Sequence, residues 1–87
     1  MRAYVYILVS NKDDNRYIGS TVNIEKRIIE HNLGQVTSTR SRKPLKLFAY
    51  QECCSVGEAR KLEHLYKNSR GRYEKAVRDG KLITCGV

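Results

Sequence analysis

An α+β fold, with a small three-stranded antiparallel sheet flanked by helices, is what this chain predicts, and three observations carry it. Runs rich in aromatic and β-branched residues recur at residues 2–9, 16–20 and 45–50, the composition that strands favour. Only Ser10-Asn11-Lys12-Asp13-Asp14-Asn15 separates the first two runs, and so dense a cluster of turn formers folds them back as a hairpin. Between and after the strands lie stretches with helical start and stop signals, with no internal repeat, linker or low-complexity block, so residues 1–87 are expected to form one domain.

In the first strand Tyr4 and Tyr6 share a face, and Val5, Ile7 and Val9 anchor the run in the core. Gly19 follows directly on Tyr17-Ile18, where a missing side chain lets another group, a ligand included, approach the backbone. Thr21 or Asn23 can cap a helix that runs to about Leu33 and stops at Gly34, with Ile24, Ile28 and Ile29 as its buried face. Arg27 and His31 stand one turn apart beside that face, at the expected border of core and solvent, where both can address one spot. Residues 35–43 have no hydrophobic period and read as an exposed loop. Pro44 opens the third strand, with Leu45 and Leu47 on one face and Phe48 and Tyr50 on the other. Ser55 and Glu58 make a capping box for a helix over residues 56–68, whose apolar stripe of Ala59, Leu62, Leu65 and Tyr66 encloses Glu63. The stretch 69–72 interrupts the pattern before a last helix over residues 72–79, which Gly80 and a loosely held tail close.

Eighty-seven residues suffice for one small core, and seventeen Lys and Arg against nine Asp and Glu leave a net charge of +8. Such an imbalance points to a polyanionic partner, nucleic acid first. No apolar run approaches the ~20 residues that span a bilayer, and the Met-Arg start lacks the features of a signal peptide, so a cytoplasmic protein without a membrane partner is expected. Cys53, Cys54 and Cys85 show neither zinc-ligand spacing nor an even count, and read as reduced thiols.

Cleaving a phosphodiester needs a nucleophile made ready, charge neutralised on the phosphoryl oxygens and a leaving oxygen stabilised. The chain offers a residue for each task. Glu63 is an oxygen ligand suited to Mg²⁺ or Mn²⁺, which bind through one or two carboxylates and keep several waters. Its plain structural alternative is an ion pair with Lys67 on the next turn. Arg27 offers a charged fork that matches a phosphate, and His31 can accept or relay a proton near neutral pH. Tyr6 and Tyr17 can orient water or act as general base, provided a cation stabilises the phenolate. Taken singly, each of these residues also has an ordinary packing or surface role.

The combination is more specific. Tyr4-Val5-Tyr6, Tyr17-Ile18-Gly19, a helical Arg27 and His31, and a helical Glu63 resemble the GIY-YIG nuclease superfamily over residues 2–75. The match is to small single-domain members, similar to the N-terminal domain of excision-repair nucleases, and takes in Gly34, Thr39, Pro44 and Leu47 as well. Tyr4 stands where glycine gives the superfamily its title, and Asn68 matches a late asparagine of some branches. The resemblance implies a divalent-metal-dependent DNA endonuclease in which water attacks in line with the leaving 3′ oxygen. Tyr6, in preference to Tyr17, activates the water with help from His31; Arg27 holds the scissile phosphate, Glu63 the ion, and Gly19 keeps the floor of the site open. Arg40, Arg42 and Lys43, and then Lys67, Arg70 and Arg72, are expected to track the DNA backbone. With no room for a targeting module, structure-selective or non-specific cutting in repair or recombination is expected, directed where necessary by a targeting or repair protein. The alternatives are a catalytically weak nucleic-acid-binding accessory module and a small RNA-binding protein.

Overall fold

The computed structural model describes residues 2–84; Cys85 and the side chain of Arg70 lie outside the described residues. Strand β1 (Ala3–Ser10) pairs antiparallel with β2 (Arg16–Thr21), placing Tyr6 opposite Gly19 and Leu8 opposite Tyr17. The turn is tied by Ser10 N donating to Asn15 O at 2.9 Å and by Asp14 in a left-handed conformation, which Asp tolerates through local hydrogen bonding. Strand β3 (Leu45–Cys53) pairs on the other side of β1, so β1 is central and nearly continuously buried. To the three expected strands the structure adds a short fourth, β4 (Ile83–Thr84), which pairs with β3 and gives the order β2-β1-β3-β4. The part of the tail within the described residues is thereby docked at Ile83–Thr84, with Leu82 buried beside it.

Two apolar layers follow from the period of two along β1. Ala3, Val5 and Ile7 face α2 (Val56–Asn68) and α3 (Arg70–Arg78), packing with Ala59, Tyr66, Tyr73, Ala76 and Leu82. Tyr6 and Leu8 face the opposite way and pack with Leu45, Leu47, Tyr50, Tyr17 and Ile28, the last from α1 (Ile24–Asn32). Full burial of a side chain such as Ile7 or Leu8 is worth about 1.5–3 kcal/mol, which makes β1 the chief apolar anchor. Asn23 caps α1 by accepting from Lys26 N at 3.1 Å, and Ser55 caps α2 by accepting from Glu58 N at 3.1 Å. At its far end α1 is pinned to β3 by Asn32, whose amide both donates to Leu45 O (3.0 Å) and accepts from Leu45 N (2.8 Å).

Five expectations are corrected. A β-bulge shifts the β1–β3 register between Ile7 and Leu8, so that Phe48 is the extra residue. Tyr50 therefore joins Leu45 and Leu47, while Phe48 turns to the other layer, where the Arg16 guanidinium lies 4.2 Å over its ring. Ile29 is 58% exposed, because the buried row of α1 runs Ile24, Ile28, His31 and leaves position 29 to one side. Leu65 is exposed for the same reason, the inward row of α2 being Ala59, Leu62 and Tyr66. The expected loop is ordered into a 3-10 helix, Thr37–Arg42, held by the burial of Thr39 and by Ser10 Oγ donating to Arg42 O at 2.6 Å. Finally α3 starts at Arg70, so the break between the last two helices is Ser69 alone. Cys53 is a buried free thiol and Cys54 an exposed one, as expected for adjacent strand-end residues, and burial pushes the Cys53 thiol up.

Candidate active site

Tyr6 is the centre of the site because of its place in the sheet. Its cross-strand neighbour is Gly19, and a Cβ at Gly19 would overlap the Tyr6 hydroxyl and ring, with Cζ 2.6 Å away. The group that needs the missing side chain is thus the tyrosine itself, which lies flat across the β2 backbone. Gly19 seats the catalytic candidate instead of leaving an open floor.

The α1 residues then converge on the Tyr6 hydroxyl. His31 Nε2 lies 3.0 Å from it and Arg27 Nε donates to it at 3.4 Å. The spot addressed jointly by Arg27 and His31 is therefore a phenol oxygen. His31 does not stand at the border as expected, but is 0% exposed on the inward row of the helix. Its other nitrogen, Nδ1, is 2.7 Å from Thr39 Oγ1, and that hydroxyl donates to Val36 O at 3.4 Å. With the Thr39 proton assigned to Val36 O, Thr39 accepts from Nδ1–H, the tautomer in which Nε2 of a neutral imidazole can accept the Tyr6 proton. Burial, and then the Arg27 charge, hold His31 below the ordinary imidazole value of 6.5, so it is neutral and able to accept at pH 7. Burial pushes the Tyr6 phenol up to about 12 against the lowering effect of the Arg27 hydrogen bond, with Tyr17 and Glu63 adding to the rise. Tyr6 thus holds its proton at neutral pH until a neighbour takes it.

Arg27 is half-exposed and also pairs with Glu30 at 3.1 Å, which leaves donors of its fork free. Together with Ser20, Thr21, Asn23, Lys26 and Glu30 it lines an open depression of about 310 Å³. Tyr17 stacks edge-on against His31, with centroids 5.0 Å apart, and lies 6.4 Å from the Tyr6 ring. Its hydroxyl makes no hydrogen bond among the described residues.

Glu63 reaches the cluster around the edge of the sheet. It comes from α2, on the far side of edge strand β2, where Ser20 Oγ donates to Oε1 at 2.6 Å and Lys67 Nζ pairs with Oε2 at 2.8 Å. Burial alone would raise this carboxyl, but the hydrogen bonds from Lys67 and Ser20, with the charges of Lys67 and Arg60, outweigh it and hold it ionised. A half-buried, ionised carboxylate with a hydroxyl fixing one oxygen is a hard oxygen donor of the kind that magnesium-like ions take, and it fits a cation that keeps most of its waters. Among the described residues no group of three or more His, Cys, Asp or Glu gathers that could hold a metal ion.

The structure therefore brings Tyr6, Tyr17, Arg27 and His31 into one cluster and sets Glu63 at its rim. Arg40 and Lys43 are exposed beside Gly34, with Arg40 Nε donating to Gly34 O at 3.0 Å, and Arg42 is half-buried in the same 3-10 segment that carries Thr39. Arg72 lies elsewhere, in a groove between α2 and α3 with Leu62 and Leu65. Sequence reasoning gave no role to Thr39 or Ser20. Each is a small hydroxyl whose signals were slight: Thr39 is one of the residues matched by the superfamily pattern, and Ser20 directly follows Gly19.

With this geometry in view, comparison with known proteins is informative. A family model described as the GIY-YIG catalytic domain matches residues 2–76. A UPF0213 protein of Natronomonas pharaonis is 38% identical over 78 residues, covering 87% of this chain and 91% of the relative. One from Bacillus licheniformis is 42% identical over 79 residues, covering 87% of this chain and 79% of the relative. Among solved structures, the solution NMR structure of a UPF0213 protein from Bacillus halodurans superposes with a TM-score of 0.56 at 35% identity, covering 93% of this chain and 87% of that one.

Proposed function

Because the chain belongs to the GIY-YIG family, a nuclease superfamily, we propose that it is a divalent-metal-dependent DNA endonuclease whose single domain cuts by structure or without sequence preference. The observation that carries this reading is the junction at the Tyr6 hydroxyl, where buried His31 Nε2 lies at 3.0 Å and Arg27 Nε donates at 3.4 Å; in the relay a neutral His31 is the acceptor. A buried packing tyrosine would also need one hydrogen-bond partner; what the relay adds is the Arg27 guanidinium on the same oxygen beside a proton acceptor.

In the proposed reaction a water proton passes to the Tyr6 oxygen as the Tyr6 proton passes to His31 Nε2. The water oxygen bonds to phosphorus, the bond from phosphorus to the 3′ oxygen breaks, and that oxygen takes a proton from solvent. Because His31 is the final acceptor, the relay works without a free phenolate, which suits a phenol raised to about 12. Arg27 steadies the oxygen through which the proton passes, and its free donors hold the phosphate over the open depression. Tyr17 orients the water with its unengaged hydroxyl. Glu63 would hold Mg²⁺ or Mn²⁺, which neutralises charge on the phosphoryl oxygens. Arg40, Arg42, Lys43 and Lys67 would track the flanking backbone; Arg72, in the groove between α2 and α3, would meet only DNA that wraps toward α3. A cytoplasmic role in repair or recombination, guided by a partner protein, is compatible with the basic charge and small size.

The test is a panel of plasmid, single-stranded, flapped and branched DNA, incubated with Mg²⁺ or Mn²⁺ and with chelator. Wild-type protein is expected to cut one class preferentially, and Glu63→Ala to lose metal-dependent cutting while DNA binding stays nearly intact. Salt-sensitive binding with no cutting of any member would instead make the chain an accessory module.

A further inference from the structure

Lys67 is where the nuclease reading leaves a question open. Its ammonium sits 2.8 Å from Glu63 Oε2 and 5.6 Å from the centroid of the Tyr17 ring, bridging the proposed ion ligand and the tyrosine cluster around the edge of β2. The carboxylate is enclosed, with 23% of its side-chain surface exposed against 44% for Lys67. A carboxylate has room for Ser20 and a cation together, but an ammonium and a divalent ion cannot share Oε2 closely, because like charges in a half-buried setting repel. The protein thus holds, in its own side chain, a cation where the ion must come.

Resting on the nuclease reading above, we infer that Lys67 is a placeholder cation: it neutralises Glu63 until the divalent ion displaces it, and it then turns to the DNA backbone. Three features fit this exchange. Glu63 never stands as an uncompensated half-buried charge, which would be costly. The long, partly exposed stem of Lys67 can swing without moving α2. Lys67 itself lines an open cavity of about 240 Å³ with Asp14, Asn15, Arg16, Ile18, Tyr66 and Tyr73, where a neighbouring nucleotide can meet the released ammonium, Arg16 offsetting the Asp14 charge. Two consequences follow. The protein alone binds its ion weakly, since every binding event must break the Glu63–Lys67 pair. A DNA phosphate that draws Lys67 away strengthens ion binding, so metal and DNA assist each other reciprocally. Lys67 is a positioning residue in this scheme, acting on the ion through Glu63.

The experiment is Mn²⁺ titration of the protein without DNA, followed by calorimetry and by water-proton relaxation, for wild type, Lys67→Met, Lys67→Arg and Glu63→Gln, with DNA affinity measured in parallel. Lys67→Met is expected to bind Mn²⁺ on the order of tenfold tighter than wild type while binding DNA more weakly; Lys67→Arg, which keeps the charge, should remain near wild type. Equal or weaker Mn²⁺ binding by a folded Lys67→Met, or none at all, would overturn the placeholder role. Glu63→Gln separates the two claims. If it binds Mn²⁺ as wild type does, the ion site itself is misplaced; if it loses binding while Lys67→Met shows no gain, only the placeholder fails.

Discussion

At the scale of the residue, the proposed proton transfer depends on His31 being neutral and buried, and both properties have signs that can be measured. Its folded-state value lies below the ordinary 6.5, through burial first and then the Arg27 charge. A protonated His31 cannot accept from Tyr6, so the cleavage rate is expected to rise with pH, with the acidic limb below 6.5 and a plateau by neutrality. Stability follows the same direction. Where the folded value is depressed, the unfolded chain takes up the proton first, so the contribution of His31 is fully present above the unfolded value and is lost as pH falls through the folded one. Urea unfolding at about pH 5 should therefore give a lower midpoint than at about pH 7.5, with a ring titration by NMR locating the window. A rate that climbs on acidification would contradict the neutral-acceptor assignment.

At the scale of the element, the site is a consequence of strand pairing. The register that puts Gly19 opposite Tyr6 lets the tyrosine lie down toward α1, where the inward row delivers His31. Gly19→Ala forces the Tyr6 hydroxyl off His31 Nε2. We expect it to lower cleavage by ~10²-fold or more and to destabilise by about 1–3 kcal/mol, read by single-turnover assay and denaturant unfolding. Much of this was legible in the sequence: the hairpin from its turn residues, the helix caps from Asn23 and Ser55, and Arg27 and His31 as neighbours from their spacing. What was not legible depends on contacts between distant segments. That His31 is buried and not marginal depends on Thr39, which meets it from a stretch with no hydrophobic period. The face of Phe48 depends on a bulge, which alternation within a single strand cannot reveal. The Ser20–Glu63 bond joins residues 43 apart in sequence, across the edge of a sheet.

At the scale of the whole molecule, a net charge of +8 on 87 residues makes phosphate contact the main source of affinity. Binding to duplex DNA should weaken steeply with salt, and Arg40→Ala is expected to reduce the slope of log K against log salt by about 0.9, the loss of one contact. An unchanged slope would place Arg40 off the DNA path. No helix among the described residues is long and apolar enough to cross a membrane. Charge alone would serve a binding module equally well; the Tyr6–His31–Arg27 junction is what the proposed relay needs in addition. The most direct measurement is single-turnover cleavage of the preferred DNA by wild type and Tyr6→Phe under saturating Mn²⁺, with DNA affinity measured on both. The relay predicts a rate about 10²–10⁴-fold lower for Tyr6→Phe at near-equal DNA affinity, whereas cutting at the wild-type rate without the hydroxyl would remove Tyr6 from the chemistry.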